Sequence, residues 1–104
     1  MEYLAWYADN SGSKAHPVGQ KQTNELGLFD MTGNVWEWCD DWYAQDYYQG
    51  SPASNPKGPS SGSLRVGRGG SCLDFGRYCR PGFRGSFTPG SRGINLGFRI
   101  VFVP

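Results

Sequence analysis

Gly27-Leu28-Phe29-Asp30-Met31-Thr32-Gly33-Asn34-Val35-Trp36-Glu37-Trp38-Cys39-Asp40-Asp41-Trp42-Tyr43 is the stretch that decides how this chain folds. It gathers three of the four tryptophans and four of the nine carboxylates, so burial and charge compensation are demanded at one place. Gly33-Asn34 signals a turn, because both residues tolerate positive φ and Asn hydrogen-bonds local backbone. Beyond the turn, Val35, Trp36 and Trp38 are apolar while Glu37 stands among them. A carboxylate against indoles is costly unless a cation or a set of donors pairs with it. A hard cation meets that need, since side-chain oxygens of Asn34 and Glu37 and carbonyls such as that of Val35 form an all-oxygen set of the kind calcium accepts. The other solution is an arginine from the C-terminal part, with Arg68 and Arg99 as candidates.

Working outward, the chain divides by charge. Residues 1–64 carry eight acids against three lysines, and residues 65–104 carry seven arginines against Asp74 alone. The halves are expected to attract each other, the acidic surface meeting the arginines. A nucleic-acid surface is not expected, because the second half lacks lysine and its arginines alternate with glycine and aromatic residues. No apolar run approaches the roughly 20 residues that span a bilayer, and Met1-Glu2-Tyr3-Leu4 lacks the regions of a signal peptide. Sixteen glycines raise the entropic cost of folding, which an aromatic content of 15% offsets. In a naturally minimal domain of this size, a second copy or a bound ion is expected to complete the core.

Regular structure is expected to be sparse. Glu2 to Tyr7 reads as a strand or a helical turn, Asp9 to Ser13 as a loop, and Asn24 as a cap or turn former. His16, the single histidine, reads as a surface or packing residue. Ala44 to Ser63 loses periodicity and forms a long irregular loop. Leu64 to Arg68 alternates as a strand, broken by Gly69-Gly70. Tyr78-Cys79-Arg80 continues a second strand, Phe83-Arg84 resumes after a turn at Pro81-Gly82, and Gly85 to Gly93 is irregular. Leu96 to Val103, rich in β-branched and aromatic residues, is the clearest strand.

The run from Gly27 to Trp38, followed by Arg68-Gly69-Gly70-Ser71 and then Asn95-Leu96-Gly97-Phe98-Arg99, resembles the C-terminal part of the formylglycine-generating enzyme family, or sulfatase-modifying-factor domains. With Ala5-Trp6-Tyr7, Asn10-Ser11 and His16-Pro17-Val18-Gly19 the likeness covers nearly the whole chain. The resemblance implies an α+β, C-type-lectin-like fold with short strands, little helix and much irregular loop, in a single domain over residues 1–104. It implies no single activity, because the family includes oxidases, iron-dependent sulfur chemistry and scaffolds.

In the catalytic members the resemblance implies oxygen-dependent oxidation of a cysteine in a client sulfatase by Cu(I) held on two thiolates. Cys79 matches the second of that pair and Asp74 stands at the position of its partner, where a carboxylate is a poor ligand for a soft ion. Cys72 is a substitute displaced by about 6–7 Å in an extended strand. Cys79 otherwise reads as a small buried apolar residue, or as half of a Cys72–Cys79 disulfide. The family's second calcium site matches Asn34, Val35, Glu37 and the carbonyl of Cys39. Leu73, Asp74, Phe75, Arg77, Tyr78, Phe83, Arg84, Phe87, Arg92 and Asn95 mix aromatic, arginine and polar residues as binding surfaces do, facing a protein or small-molecule ligand. Aromatics there also read as core. The layout resembles the variable proteins of diversity-generating retroelements. The leading expectation is a non-catalytic binding module with its surface in 73–95; the alternative is a copper oxidase using Cys79 and Cys72.

Overall fold

The computed structural model describes residues 3–44 and 58–100. Four strands form one sheet in the order β3-β2-β1-β4, with β1 Trp36–Trp42, β2 Arg65–Arg68, β3 Arg84–Phe87 and β4 Leu96–Gly97. A single 3-10 turn, Gly76–Tyr78, is the helical element among the described residues. Short strands, little helix and long irregular segments give the expected C-type-lectin-like fold of the formylglycine-generating enzyme type.

The Gly33-Asn34 turn sits at the centre because its backbone is tied to three distant segments. Gly33 N donates to Gly69 O at 2.6 Å, Asn34 N to Trp6 O at 2.7 Å, and Cys72 N to Asn34 O at 2.8 Å. Both turn residues have positive φ, 76° and 64°. At Gly33 a Cβ would collide with the Trp6 carbonyl, so only glycine lets the two segments meet. The turn delivers Trp36 into β1, where it is buried with Ala5, Val66, Cys72 and Cys79.

β1 pairs antiparallel with β2, Glu37 opposite Arg68 and Trp38 opposite Gly67, with a shift in register before Trp42. On its other edge Trp36 and Glu37 lie parallel to Leu96 and Gly97. β2 pairs antiparallel with β3, Gly67 opposite Gly85. These facing glycines have a packing cause. The Phe87 ring lies where a Gly67 side chain would stand, at 2.5 Å from its Cβ position, and the Trp36 ring approaches Gly85 in the same way at 3.1 Å. Phe87 meets Trp36 and Trp38 edge-on at 5.6 and 5.7 Å.

Four expectations change. Gly85 to Phe87 belongs to β3, because the aromatic packing fixes it against β2. Tyr78-Cys79-Arg80 is no strand: Tyr78 N and Cys79 N bond back to Phe75 O and Gly76 O, closing a 3-10 turn. The described part of the N-terminal run, from Tyr3, is turn and coil. The final strand is limited to Leu96–Gly97; Phe98 to Ile100 are unpaired as strand, and 101–103 lie outside the described residues. Of the expected loop Ala44 to Ser63, residues 45–57 also lie outside, while 58–63 are irregular as expected.

The two charge halves do meet. Arg65 to Asp40 at 3.8 Å, Arg84 to Asp41 at 3.3 Å and Arg99 to Glu37 at 3.0 Å each join the basic half to the acidic one.

Candidate functional site

Two neighbouring regions carry the chemistry singled out in the sequence. The first surrounds Glu37. Arg99 Nε and Nη2 hold its two carboxylate oxygens, both at 3.0 Å, and Nη2 also donates to the carbonyls of Phe29 and Asp30. The hydrogen bonds Arg99 donates to the Glu37 carboxylate raise the Arg99 pKa further. Arg99, one of the two arginines considered, therefore forms an ion pair with Glu37.

Asn34 is committed elsewhere. Its side-chain oxygen accepts from His16 N at 2.8 Å and its amide donates to His16 O at 2.9 Å, which locks the 16–19 segment onto the central turn. His16 is a packing residue: its ring stacks on Trp6 at 3.7 Å and its Nε2 donates to Ser11 O. Cys39 is half-buried, and burial raises its thiol pKa against the lowering influence of Arg68.

Asp30 was not singled out by sequence. It is 5% exposed and adopts φ 54°, its Oδ2 accepts from Gly19 N, and its Oδ1 has no hydrogen-bond partner. Asp30, Asn34, Val35, Glu37 and Arg99 line one cleft of about 400 Å³. Among the described residues Asp30 Oδ1 is the buried carboxylate oxygen left without a donor, whereas the Asn34 amide is taken by His16 and both Glu37 oxygens by Arg99, so the expected calcium ligand set is not free as a whole. The clue in the sequence was the Asp two residues after Leu28 and three before Gly33, which local pattern alone does not distinguish from a surface acid.

The second region is built from the Arg68-Gly69-Gly70-Ser71 block. Gly69 and Gly70 take φ of 99° and 69°, and a Cβ on Gly70 would lie 2.6 Å from Cys79 Sγ. The backbone thus folds tightly over the thiol. Ser71 and Cys72 are fully buried; Ser71 Oγ donates to Asp74 Oδ2 at 2.5 Å and accepts from Leu73 N and Asn95 Nδ2. Asp74 is therefore a turn-forming carboxylate held by the block itself. Cys39, Cys72 and Cys79 are all free thiols, so the Cys72–Cys79 disulfide is not formed. Burial, followed by the Asp74 charge, pushes Cys79 up to about 11, and burial likewise raises Cys72. Both are neutral thiols at physiological pH. Among the described residues no three His, Cys, Asp or Glu side chains cluster as a metal site. At the positions that the family resemblance matches to the copper pair stand Cys79 and Asp74, and a carboxylate already bound to Ser71 does not fit a two-thiolate Cu(I) site.

The expected ligand-facing residues are only partly one surface. Leu73, Phe75, Arg77 and Arg92 are exposed. Tyr78 and Phe83 meet edge-on at 4.9 Å, and Arg77 lies over Phe75 and Tyr78. Arg84, by contrast, has a side chain only 6% exposed and serves the Asp41 pair; Phe87 packs on tryptophans and Asn95 binds Ser71. These three are framework.

Comparison with known proteins agrees with this architecture. The sulfatase-modifying factor enzyme 1-like domain family matches residues 2–103. A formylglycine-generating enzyme of Streptomyces coelicolor is 45% identical over 97 residues, covering 90% of this chain and 31% of the relative. The solved structure of Treponema denticola variable protein 1 superposes with a TM-score of 0.81 at 44% identity, over 93% of this chain and 35% of its own. PvdO from Pseudomonas aeruginosa gives the same TM-score at 30% identity, over 94% and 38%. The chain thus spans about a third of the length of these relatives. The match over residues 2–103 and the shared fold establish that this chain belongs to the sulfatase-modifying factor enzyme 1-like, or formylglycine-generating enzyme-like, family.

Proposed function

We propose that this chain is a non-catalytic binding module on a formylglycine-generating-enzyme-like scaffold, with its ligand surface within residues 73–95. The observation that carries the reading is the hydrogen bond of 2.5 Å by which Ser71 holds the Asp74 carboxylate, at the position that the family resemblance matches to a copper thiolate. The likeness to Treponema denticola variable protein 1 supports placing the chain among scaffolds that diversity-generating retroelements vary, with Leu73, Phe75, Arg77, Tyr78 and Arg92 as the varied, outward side chains. Calcium is the proposed ion of the cleft at Asp30 Oδ1, with turn carbonyls such as that of Val35 as its further ligands and Glu37 left to its pair with Arg99, a structural role that braces the central turn.

The alternative is a copper-dependent oxidase in which Cys79 survives as a metal thiolate and Cys72 replaces its partner. It draws on the 45% identity to the Streptomyces coelicolor enzyme. The discriminating experiment supplies the reduced protein with Cu(I), oxygen and a cysteine-containing client peptide and follows aldehyde formation by mass spectrometry. The binding-module reading expects no product above a copper-only control. Turnover that disappears in Cys79→Ala would establish the oxidase instead.

A further inference from the structure

The binding-module reading leaves open what the surface takes, and its side chains narrow the choice. The 3-10 turn Gly76–Tyr78 sets Phe75, Arg77 and Tyr78 side by side, and Phe83 follows from the next turn. Arg77 stands 5.7 Å from the Phe75 ring and 4.8 Å from the Tyr78 ring, and its Nη2 donates to the Tyr78 hydroxyl at 3.1 Å. Arg80 stands 5.7 Å from the Phe83 ring. Tyr78 and Phe83 pack edge to face, and Phe83 leans on the buried Trp36 at 6.0 Å. Arg68 donates to Pro81 O and so ties the strip to β2. The result is a continuous strip of aromatic faces capped by two exposed guanidiniums and anchored to the core.

Its charge is one-sided. Residues 73–95 hold four arginines and one acid. The acid, Asp74, is held by Ser71, and Arg84 is paired with Asp41. Arg77 and Arg80 are held near rings, and neither forms an ion pair with an acid among the described residues. A guanidinium restrained by a neighbouring ring loses less entropy when its N–H groups meet a carboxylate. Phe75, 62% exposed, offers an apolar face beside Arg77.

Resting on the binding-module reading, we propose that the Phe75–Phe83 strip takes an acidic protein segment that presents an aromatic side chain between carboxylates. The aromatic covers Phe75 and Tyr78, and the carboxylates engage Arg77 and Arg80. Nucleic acid is the less suited polyanion, because two arginines with no lysine in the strip give few phosphate contacts and the whole chain carries only +1.

The test is an amide NMR titration of the ¹⁵N-labelled chain with an acetylated, amidated Glu-Glu-Phe-Glu-Glu peptide. Lys-Lys-Phe-Lys-Lys, Glu-Glu-Gly-Glu-Glu and an oligothymidylate serve as comparators. Expected are shifts confined to residues 75–83, with binding weakened about tenfold by added salt, by either comparator peptide and by the double change Arg77→Ala, Arg80→Ala. The reversal Arg77→Glu, Arg80→Glu is expected to exchange the preference in favour of the lysine peptide, a gain that loss of folding cannot mimic. Equal binding of the lysine peptide, shifts elsewhere, tighter binding of the oligothymidylate or no shift at all would overturn the inference. Neutral or basic peptides selected from a displayed library that bind on residues 73–95 would overturn it too, while leaving the binding-module reading intact. Client-peptide turnover dependent on Cys79 would remove the reading itself.

Discussion

Asp30 and Glu37 lie seven residues apart and line one cleft, yet only Glu37 declared itself in sequence. Its position among tryptophans demanded compensation, and Arg99 supplies it with two hydrogen bonds. Asp30 stayed hidden because its hydrogen-bond partner, the backbone N–H of Gly19, reaches it from outside the local pattern. For the same reason Asn34 read as a metal ligand: nothing in the turn foretells that His16 backbone takes both ends of its amide. If the cleft takes calcium, millimolar calcium is expected to raise the melting temperature of the wild-type chain and to leave Asp30→Ala unmoved, in a calorimetric melt. A second prediction concerns Cys79. Its folded pKa of about 11 lies above the ordinary thiol value of 9.0, so the folded state holds the proton more tightly than the unfolded one. That stabilisation is complete below about pH 9 and is lost as pH rises toward 11. Melting temperatures recorded across this window should fall in the wild type and fall less in Cys79→Ala, while Cys79 should resist thiol reagents at neutral pH.

At the scale of elements, β2 was legible, while β1 and β3 were not. The alternation in Leu64 to Arg68 is a local signal, whereas the run after Gly33-Asn34 was read for its charge and burial and not as the strand Trp36–Trp42. β3 reads Arg-Gly-Ser-Phe, weak by propensity, and is fixed by Phe87 lying across Gly67 and against Trp36 and Trp38. Tertiary packing, and not the segment itself, makes it a strand. This gives a prediction for the β2–β3 pair: Gly67→Ala places a methyl where the Phe87 ring stands and should cost roughly 1–3 kcal/mol in chemical denaturation. Gly82→Ala, which meets nothing within 4 Å, is the expected near-neutral control. The 3-10 turn at Gly76–Tyr78 was missed because its closing bonds run over three residues inside an aromatic and arginine-rich segment that also suits a strand.

For the whole molecule, the charge division was read from composition and, among the described residues, appears in the ion pairs of Arg65, Arg84 and Arg99 with acids of the first half. The family resemblance carried the fold further than periodicity did, since little of this chain is periodic. Composition also raised the matter of a small core. Leu26, Ile94, Phe98 and Ile100 are each at least 70% exposed. Self-association of the isolated chain is therefore expected, seen as a concentration-dependent rise in sedimentation coefficient that Phe98→Ser or Ile94→Ser reduces. The central claim, that the family's copper site has been given over to a structural carboxylate, is tested most directly by Cu(I) titration of the reduced protein against a competing chelator, for the wild type and for Asp74→Cys. The account predicts no tight one-to-one site in the wild type and its appearance in Asp74→Cys; tight one-to-one binding by the wild type that requires both Cys72 and Cys79 would contradict it.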